Sequence, residues 1–246
     1  MLLILMYHQI VHPPIDPEIN INKFKQHLIY LQQNFNIISP GQTILKNKPS
    51  VCLTFDDAYI DFYYYIFPIL KTMNIPAILA IPAGLIKDTT TIDIKTRLTV
   101  PYPEGLNSNQ SSNSPLCTWS EIREMIGSGL VYPASHSLTH KNLATINFSE
   151  AYQELCVSSH IISVKLEKIA EIFVYPFGRY NACVQDMANN HYKYVMRIGG
   201  ASNCNWNQKI LYRIDGDKFW QNNNQISLFN IILWKIKYWC NKLRNK

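Results

Sequence analysis

Short apolar runs alternate along this chain with stretches whose apolar residues recur at helical spacing. Phe24, Leu28, Leu31 and Phe35 show that helical spacing between the first two runs. This alternation predicts a single α/β domain of parallel strands joined by crossover helices, either a barrel or a doubly wound sheet. With 246 residues, 47% of them hydrophobic, the chain can bury such a core. The runs predicted as strands are Leu2–Tyr7, Ser50–Phe55, Ala77–Ile81, Leu130–Ala134, Ile172–Tyr175, Tyr194–Ile198 and Ile210–Ile214.

One long segment interrupts the alternation. Residues 87–116 are polar and lack clear periodicity, which is typical of a surface insertion or a lid. Thr118 and Glu121 then form a T-x-x-E capping box, which predicts the start of the next helix. We therefore expect a main domain over residues 1–225, with an insertion at 87–116, followed by a terminal helix within 226–246.

The formal charge of +6 is concentrated at the end of the chain. Residues 226–246 carry five basic side chains and no acidic one, which leaves 18 basic and 17 acidic side chains in residues 1–225. A body with a net charge of only +1 disfavours nucleic-acid binding, because such proteins present a strongly basic surface.

The terminal segment itself has two interpretations. Its apolar residues, from Phe229 to Leu243, follow helical spacing with lysines between them. The segment is therefore either a helix packed on the domain or a basic amphipathic helix lying on an anionic membrane surface. The apolar start Met1–Met6 is too short for a signal peptide, and no run approaches the ~20 apolar residues of a spanning helix. We expect a cytoplasmic or membrane-peripheral protein.

Polar or kinked residues follow four of the predicted strands at the point where each strand ends. They are Tyr7-His8, Asp56-Asp57, His136 with His140 four residues later, and Pro176-Phe177-Gly178. In parallel α/β folds the carboxyl ends of the strands share one rim, and active sites are built there. Four such coincidences indicate a site.

The acidic pair and the histidine pair together fit a metal ion. Histidines at i and i+4 on a helical turn share a face, and zinc accepts imidazole nitrogen together with carboxylate oxygen. Two histidines and one aspartate leave positions open for water and substrate, which is typical of a hydrolytic or redox site. The plainer interpretations are that one aspartate caps the next helix while its neighbour is solvated, and that the histidines are surface or capping residues.

Three motifs resemble those of the polysaccharide deacetylase (carbohydrate esterase) family. They are Thr54-Phe55-Asp56-Asp57, Ser135-His136-Ser137-Leu138-Thr139-His140 and Tyr175-Pro176-Phe177-Gly178. The resemblance runs from about Leu5 to Asp217, and Leu5-Met6-Tyr7-His8 is similar to the poly-N-acetylglucosamine deacetylases in which an early Tyr-His supplies the acid. It implies a distorted (β/α) barrel with about seven parallel strands.

The resemblance also implies an activity: metal-dependent removal of N-acetyl groups from an N-acetylated amino-sugar polymer or glycan, with release of acetate. The implied metal is one divalent ion, most often zinc, with cobalt or nickel as alternatives. The implied roles are Asp57, His136 and His140 as metal ligands, Asp56 as general base, His8 as general acid, the Phe177 N–H as oxyanion donor, and Tyr7, Tyr175, Pro176 and Gly178 as substrate-groove residues.

The chain departs from the family pattern at two places. Val174-Tyr175 stand where the third motif usually carries an arginine, and no histidine follows His191 to serve as the usual late acid. We expect Arg213 to replace the missing arginine by pairing with Asp56, an ordinary surface ion pair being the alternative. His12, His27, His160 and His191 have no comparable placement and are predicted to be surface or capping residues.

Two other functions remain open from the sequence. One is a metal-dependent amidohydrolase for a small amide, which a narrowing insertion at 87–116 would favour. The other is a catalytically silent carbohydrate-binding protein of the same fold, which the Asp56-Asp57 pair disfavours. Candidate rings for stacking on sugars are Trp119, Trp206, Trp220 and Tyr180, without a choice among them.

Overall fold

The computed structural model describes residues 1–11, 15–102, 106, 113–222 and 225–243. His12, most of the predicted Asn107–Ser114 loop, and the basic residues Arg244 and Lys246 lie outside the described residues. Seven parallel strands close into a barrel surrounded by helices, which confirms the predicted fold. The sheet also includes a short strand, β2 (Asn36–Ile37), which lies outside the ring. The bounds of the other strands are β1 (Leu2–Tyr7), β3 (Ser50–Phe55), β4 (Ala77–Ile81), β5 (Val131–Ser135), β6 (Ile172–Val174), β7 (Tyr194–Ile198) and β8 (Leu211–Asp215).

Strand β1 closes the barrel. It pairs in parallel with β3 along its whole length, from Leu2 opposite Ser50 to Tyr7 opposite Phe55. On its other side Leu5 and Met6 pair with β8. The two-residue strand β2 only extends the start of β3 and takes no part in the ring. Because both neighbours of β1 are strands of the same sheet, the structure is a barrel and not an open doubly wound sheet.

The two faces of each strand enter different parts of the core. Leu2 and Ile4 belong to the apolar cluster inside the barrel, whereas Leu3, Leu5 and Tyr7 pack outward against the helices. Successive strand residues point to opposite sides, so burial on both sides makes the whole run apolar. This alternation decides which side chains of the motifs reach the interior.

The helices occupy the outside of the barrel and the segments between strands. Their bounds are α1 (Pro17–Asn34), α2 (Phe67–Met73), α3 (Ile94–Arg97), α4 (Trp119–Gly127), α5 (Phe148–Tyr152), α6 (Ser158–Leu166), α7 (Ala182–His191), α8 (Asp217–Gln221) and α9 (Leu228–Leu243). Helix α1 starts earlier than its periodicity suggests, because Asp16 and not Asn20 is the N-cap and Pro17 opens the first turn. The capping box of Thr118 and Glu121 is present at the start of α4, as predicted.

Two π-helical turns interrupt the helices on this outer layer. Phe62–Ile66 precedes α2, and Gln153–Val157 lies between α5 and α6. π-helical turns are rare in proteins, and those that do occur are often found at functional sites. Both turns bring a buried carboxylate, Asp61 or Glu154, under a loop of the rim.

The part of the 87–116 segment that the structure describes is tied to the barrel. Arg97 of α3 is buried and forms an ion pair of 2.6 Å with Glu121 of α4. Its guanidinium also donates hydrogen bonds to the carbonyl oxygens of Ser114 and Leu116. Within the described residues, none of the helices has the length and apolar character needed to cross a membrane.

Candidate active site

Six chemically active side chains from distant parts of the chain meet at the carboxyl ends of the strands. Five of them follow β1, β3 or β5, and one belongs to β8; they are His8, Asp56, Asp57, His136, His140 and Arg213. The rim predicted from the sequence is therefore one contiguous polar cluster.

Asp57, His136 and His140 converge on one point. Asp57 Oδ1 lies 3.4 Å from His136 Nε2 and 3.2 Å from His140 Nε2, and one ligand atom from each residue lies within 4.8 Å of the others. Within the described part of the chain, no group donates a hydrogen bond to the buried Asp57 Oδ1. A buried carboxylate oxygen without a donor is costly unless a cation accompanies it. The three residues therefore fit a divalent metal ion.

The hydrogen bond on the far side of His136 supports this interpretation. Its Nδ1–H donates to the carbonyl oxygen of Val174 at 2.8 Å, which leaves the lone pair of Nε2 directed at Asp57. A histidine that ligates a metal commonly has its other ring nitrogen fixed in this way. Burial and the neighbouring His136 lower the pKa of His140 to about 4, so the neutral imidazole that a metal needs is the stable form.

The backbone around these ligands is held in unusual conformations. Asp57, Ser137, His140 and Phe177 all have positive φ, between 57° and 72°, although none is a glycine. Such conformations cost of order 1–3 kcal/mol each and cluster at functional sites. The expectation that His136 and His140 share a helical turn is wrong, because both lie on a loop after β5. Both rings nevertheless reach Asp57.

Arg213 and Asp56 form the pair that the sequence predicts. Nη1 and Nη2 of the Arg213 guanidinium donate to the two oxygens of Asp56 at 2.6 Å and 2.8 Å, and Nη1 also donates to the Thr54 hydroxyl. Both partners are buried, so this is not a surface ion pair. Burial opposes ionisation of Asp56, but Arg213 and the nearby imidazoles outweigh it and hold the pKa well below its usual range.

His8 lies on the other side of Asp56 and has its own partner. Its Nδ1 donates to Asp217 at 2.9 Å, and its Nε2 lies 3.9 Å from Asp56. Asp217 is fixed in turn by the indole N–H of Trp220. Burial alone lowers the pKa of His8, but the hydrogen bond to Asp217 and the charges of Asp56, Asp217 and Asp57 raise it to about 9.

Two buried carboxylates anchor the loops that carry the histidines. Glu154 accepts hydrogen bonds from the backbone N–H groups of Leu138 and Thr139, at 3.0 Å and 2.9 Å, and from the Thr139 hydroxyl. It thereby fixes the loop between His136 and His140. Asp61 does the same for the loop after His8, accepting from the N–H groups at 10 and 11 at 2.7 Å and 3.1 Å.

The third motif forms one wall of the site. Phe177 is 56% exposed, and its ring lies 4.8 Å from that of His140. Tyr175, Pro176 and Gly178 are buried; the Tyr175 ring stacks on Tyr180. Gly178 has a φ of +63°, and an added Cβ there would meet Ile198 at 3.0 Å. These three residues shape the loop that presents Phe177 and offer no exposed side chain of their own.

Tyr7 points away from the site. Its ring is fully buried on the outer face of β1, where its hydroxyl hydrogen-bonds with His27 at 2.7 Å. We therefore leave its side chain out of the substrate contacts. The prediction that His27 is a surface or capping residue is wrong, because it is buried in this contact. The predicted stacking residues Trp119, Trp206 and Trp220 are also buried.

Besides Asp61, three residues of this site escaped sequence reasoning. Asp217 is 209 residues from His8, Glu154 lies inside an apparently ordinary helix, and Tyr102 belongs to the polar segment. The ring of Tyr102 lies 5.2 Å from that of His8, and its N–H donates to the side chain of Gln9. No spacing rule connects these residues to their partners, because the contacts exist only after the barrel closes.

Comparison with known proteins places this site in a family. Residues 44–195 match the sequence profile described as polysaccharide deacetylase. The chain belongs to this family. The matched region contains Asp56, Asp57, His136 and His140 but neither His8 nor Arg213. The acid candidate and the arginine therefore lie on the strands that flank the shared region.

The curated relatives include a poly-beta-1,6-N-acetyl-D-glucosamine N-deacetylase of Escherichia coli strain K12. The two sequences are 35% identical over 90 residues, which is 37% of this chain and 12% of the relative. The matched segment thus spans only a small part of that longer protein.

Several solved structures share the fold. IcaB from Ammonifex degensii is 20% identical, with a TM-score of 0.69, covering 90% of this chain and 94% of the other. A de-N-acetylase from Aggregatibacter actinomycetemcomitans is 24% identical, with a TM-score of 0.68, covering 88% and 95%. The Streptococcus pyogenes deacetylase PplD, solved with acetate, is 25% identical, with a TM-score of 0.67, covering 87% and 91%. The barrel therefore corresponds to nearly the whole of these three chains.

Proposed function

We propose that this protein is a metal-dependent hydrolase that removes N-acetyl groups from an N-acetylated amino-sugar polymer and releases acetate. The observation that carries the proposal is one rim that combines a metal-ligand set, a carboxylate kept ionised and an imidazole kept protonated. Hydrolysis of a stable amide needs all three, because water must be activated, charge stabilised and the leaving amine protonated. Membership of the polysaccharide deacetylase family supports it independently.

Asp56 is the general base. It lies between His8 Nε2 and His136 Nε2, at 3.9 Å from each, and its low pKa keeps it ionised at neutral pH. It accepts a proton from the attacking water as the water oxygen bonds to the acetamide carbon. Arg213 is a positioning residue in this step, because its two hydrogen bonds fix the plane of the carboxylate.

His8 is the general acid. With a pKa of about 9 its ring is protonated at neutral pH, and Asp217 holds Nδ1 while Nε2–H faces the cluster. His8 gives that proton to the amide nitrogen as the carbon–nitrogen bond breaks, so the products are acetate and a free amine. Each proton-transfer group of this kind contributes typically 10²–10⁴-fold to the rate.

Asp57, His136 and His140 would hold the metal ion, which when bound would polarise the acetyl carbonyl and lower the pKa of water. Two imidazoles and one carboxylate suit zinc, and cobalt or nickel accept the same ligands. The N–H of Phe177, on the strained loop beside His140, is our candidate for a further donor to the developing oxyanion.

The substrate class rests on the relatives and on two exposed rings. The matched segment of the Escherichia coli relative comes from an enzyme named for a polymer of N-acetylglucosamine. Phe177 lies beside His140 and Tyr102 beside His8, and both rings are partly open to solvent, at 56% and 37%. Aromatic rings pack well against the apolar faces of sugars. A body with little net charge suits an uncharged glycan.

The decisive experiment measures acetate released from β-1,6-linked N-acetylglucosamine oligomers by the full chain. The protein is stripped with a chelator and supplied with zinc, cobalt or nickel in turn; we expect release with at least one metal and none without. Asp56→Asn serves as the inactive control that keeps the metal ligands. If N-acetylglucosamine monomer or a simple acetamide is cleaved and the oligomers are not, the small-amide function replaces this one. Binding of oligomers without release under any metal indicates a silent carbohydrate-binding protein.

A further inference from the structure

The terminal helix α9 is attached to the barrel by a narrow edge. Only Trp234 and Tyr238 of this helix are buried; their rings contact Phe219 and Tyr212. Near its end Asn241 donates a hydrogen bond to the carbonyl oxygen of Gly199, just past the carboxyl end of β7. The helix therefore lies along the outside of the barrel and reaches the rim that carries the site.

The opposite face of α9 is apolar and open to solvent. Six large side chains on it are between 54% and 84% exposed. With about 100° of rotation per residue, all six fall within about one quarter of the helix circumference. They are Leu228, Phe229, Ile232, Ile236, Trp239 and Leu243, and we call them the outer face of α9. A contiguous apolar surface of this kind marks an interaction site.

Basic side chains flank the outer face. Lys235 and Lys242 lie along one of its borders and Lys237 beyond the other, by the same helical rotation. The ammonium of Lys242 lies over the Trp239 ring, 5.5 Å from its centre. No acidic residue occurs between 226 and 246. The helix thus presents an apolar stripe with lysines along one border and no acidic residue along either.

We propose that α9 lies in the headgroup region of an anionic lipid membrane, with its outer face in the acyl boundary and its lysines at the phosphates. This pattern is that of an interfacial amphipathic helix, whose binding combines apolar burial with attraction to anionic lipid. A second copy of the chain is a poorer occupant, because two outer faces in contact would bring like-charged lysine borders together. The relatives named above add nothing on this point, so the proposal rests on the helix alone and is independent of the proposed function.

The test is sedimentation of the full chain with phosphatidylcholine vesicles, with and without phosphatidylglycerol. We expect binding to the anionic vesicles only, weakened by salt. The variant Phe229→Gln, Ile232→Gln, Ile236→Gln, Trp239→Gln removes four exposed side chains, and glutamine preserves helix propensity. Its binding should fall at least about tenfold. Phe148→Gln with Ile169→Gln is the matched control, because these exposed apolar residues lie off α9 and should not matter.

A second variant tests the charge separately and does not disturb the apolar face. Lys235→Gln, Lys237→Gln, Lys242→Gln should lower binding to anionic vesicles at least about tenfold and weaken its salt dependence. All variants should keep the melting temperature and the acetate release from soluble oligomers. Failure of the wild-type protein to sediment with anionic vesicles overturns the proposal. So does a wild-type dimer that the quadruple variant converts to monomer, since a second copy would then cover the outer face.

Discussion

Arg213 holds both oxygens of Asp56 with one guanidinium group, although 157 residues separate them in the chain. Strand β1 lies between the strands that carry them, so the pair spans the point where the barrel closes. In this chain Val174-Tyr175 stand before Pro176, where the family motif usually carries an arginine. The arginine that pairs with Asp56 comes instead from β8. The site is therefore completed by the strands at both ends of the barrel sequence.

Replacement of Arg213 by methionine should leave Asp56 buried without its cation. We expect the unfolding free energy to fall by about 3–5 kcal/mol, as for other broken buried pairs. The pKa of Asp56 should rise, and because the base must be ionised, the acidic limb of the pH–rate profile should move to higher pH. Denaturant unfolding and acetate-release profiles measure both effects. Arg123→Met, an exposed arginine on α4, is the control; an unmoved acidic limb in Arg213→Met contradicts the positioning role.

The assigned roles of Asp57 and His8 separate metal binding from proton transfer. Asp57→Ala should lose the metal ion and with it all activity. His8→Ala should retain the metal and slow turnover by about 10²–10⁴-fold. Metal content after gel filtration, measured by atomic emission, gives the comparison. Equal metal occupancy in the two variants would contradict both assignments.

Asp217 should set the protonation of His8. Asp217 contributes most to raising the pKa of His8 to about 9, and Asp217→Asn removes this contribution. The pKa of His8 should therefore drop. Because the general acid must be protonated, the basic limb of the pH–rate profile should move to lower pH. Carbon–proton NMR of the His8 ring follows the titration directly. Asp215→Asn, two residues earlier and paired with Lys218 on the surface, is the matched control.

Glu154 should support metal affinity without touching the metal. Glu154→Gln removes the negative charge and one of the two acceptor oxygens, which weakens the hydrogen bonds from the Leu138 and Thr139 N–H groups and from the Thr139 hydroxyl. The loop between His136 and His140 should therefore loosen. Outer partners of metal ligands typically contribute 10–100-fold to affinity, and we expect a loss of about that size in competition with a chelator. The absorption spectrum of the cobalt-loaded protein should change as the ligands shift. Glu150→Gln, on the exposed capping box of α5, removes the same charge and should leave both readings as they are.

Much of the fold could be predicted because its signals are local. Apolar runs such as Ser50–Phe55 and Ala77–Ile81 are buried on both sides, so their composition marks them as strands within a residue or two of their observed bounds. Asp56, Asp57, His136 and His140 could be predicted as neighbours because parallel strands place all their carboxyl ends on one rim. The left-handed conformations of Asp57 and His140 could not, since nothing in their residue types requires them.

Patterns along the chain are enough to predict the main strands, the rim and the residue types of the site. Packing of distant segments is what makes β1 close the ring, His8 pair with Asp217, and Glu154 support the histidine loop. The residue spacing also makes α9 amphipathic, but it does not show which face meets the barrel. The broad apolar face lies outside, because the barrel contacts only the narrow edge with Trp234 and Tyr238. The reason is common to all these cases. Residue spacing records contacts along one element, whereas contacts between distant segments arise only when the whole barrel is packed.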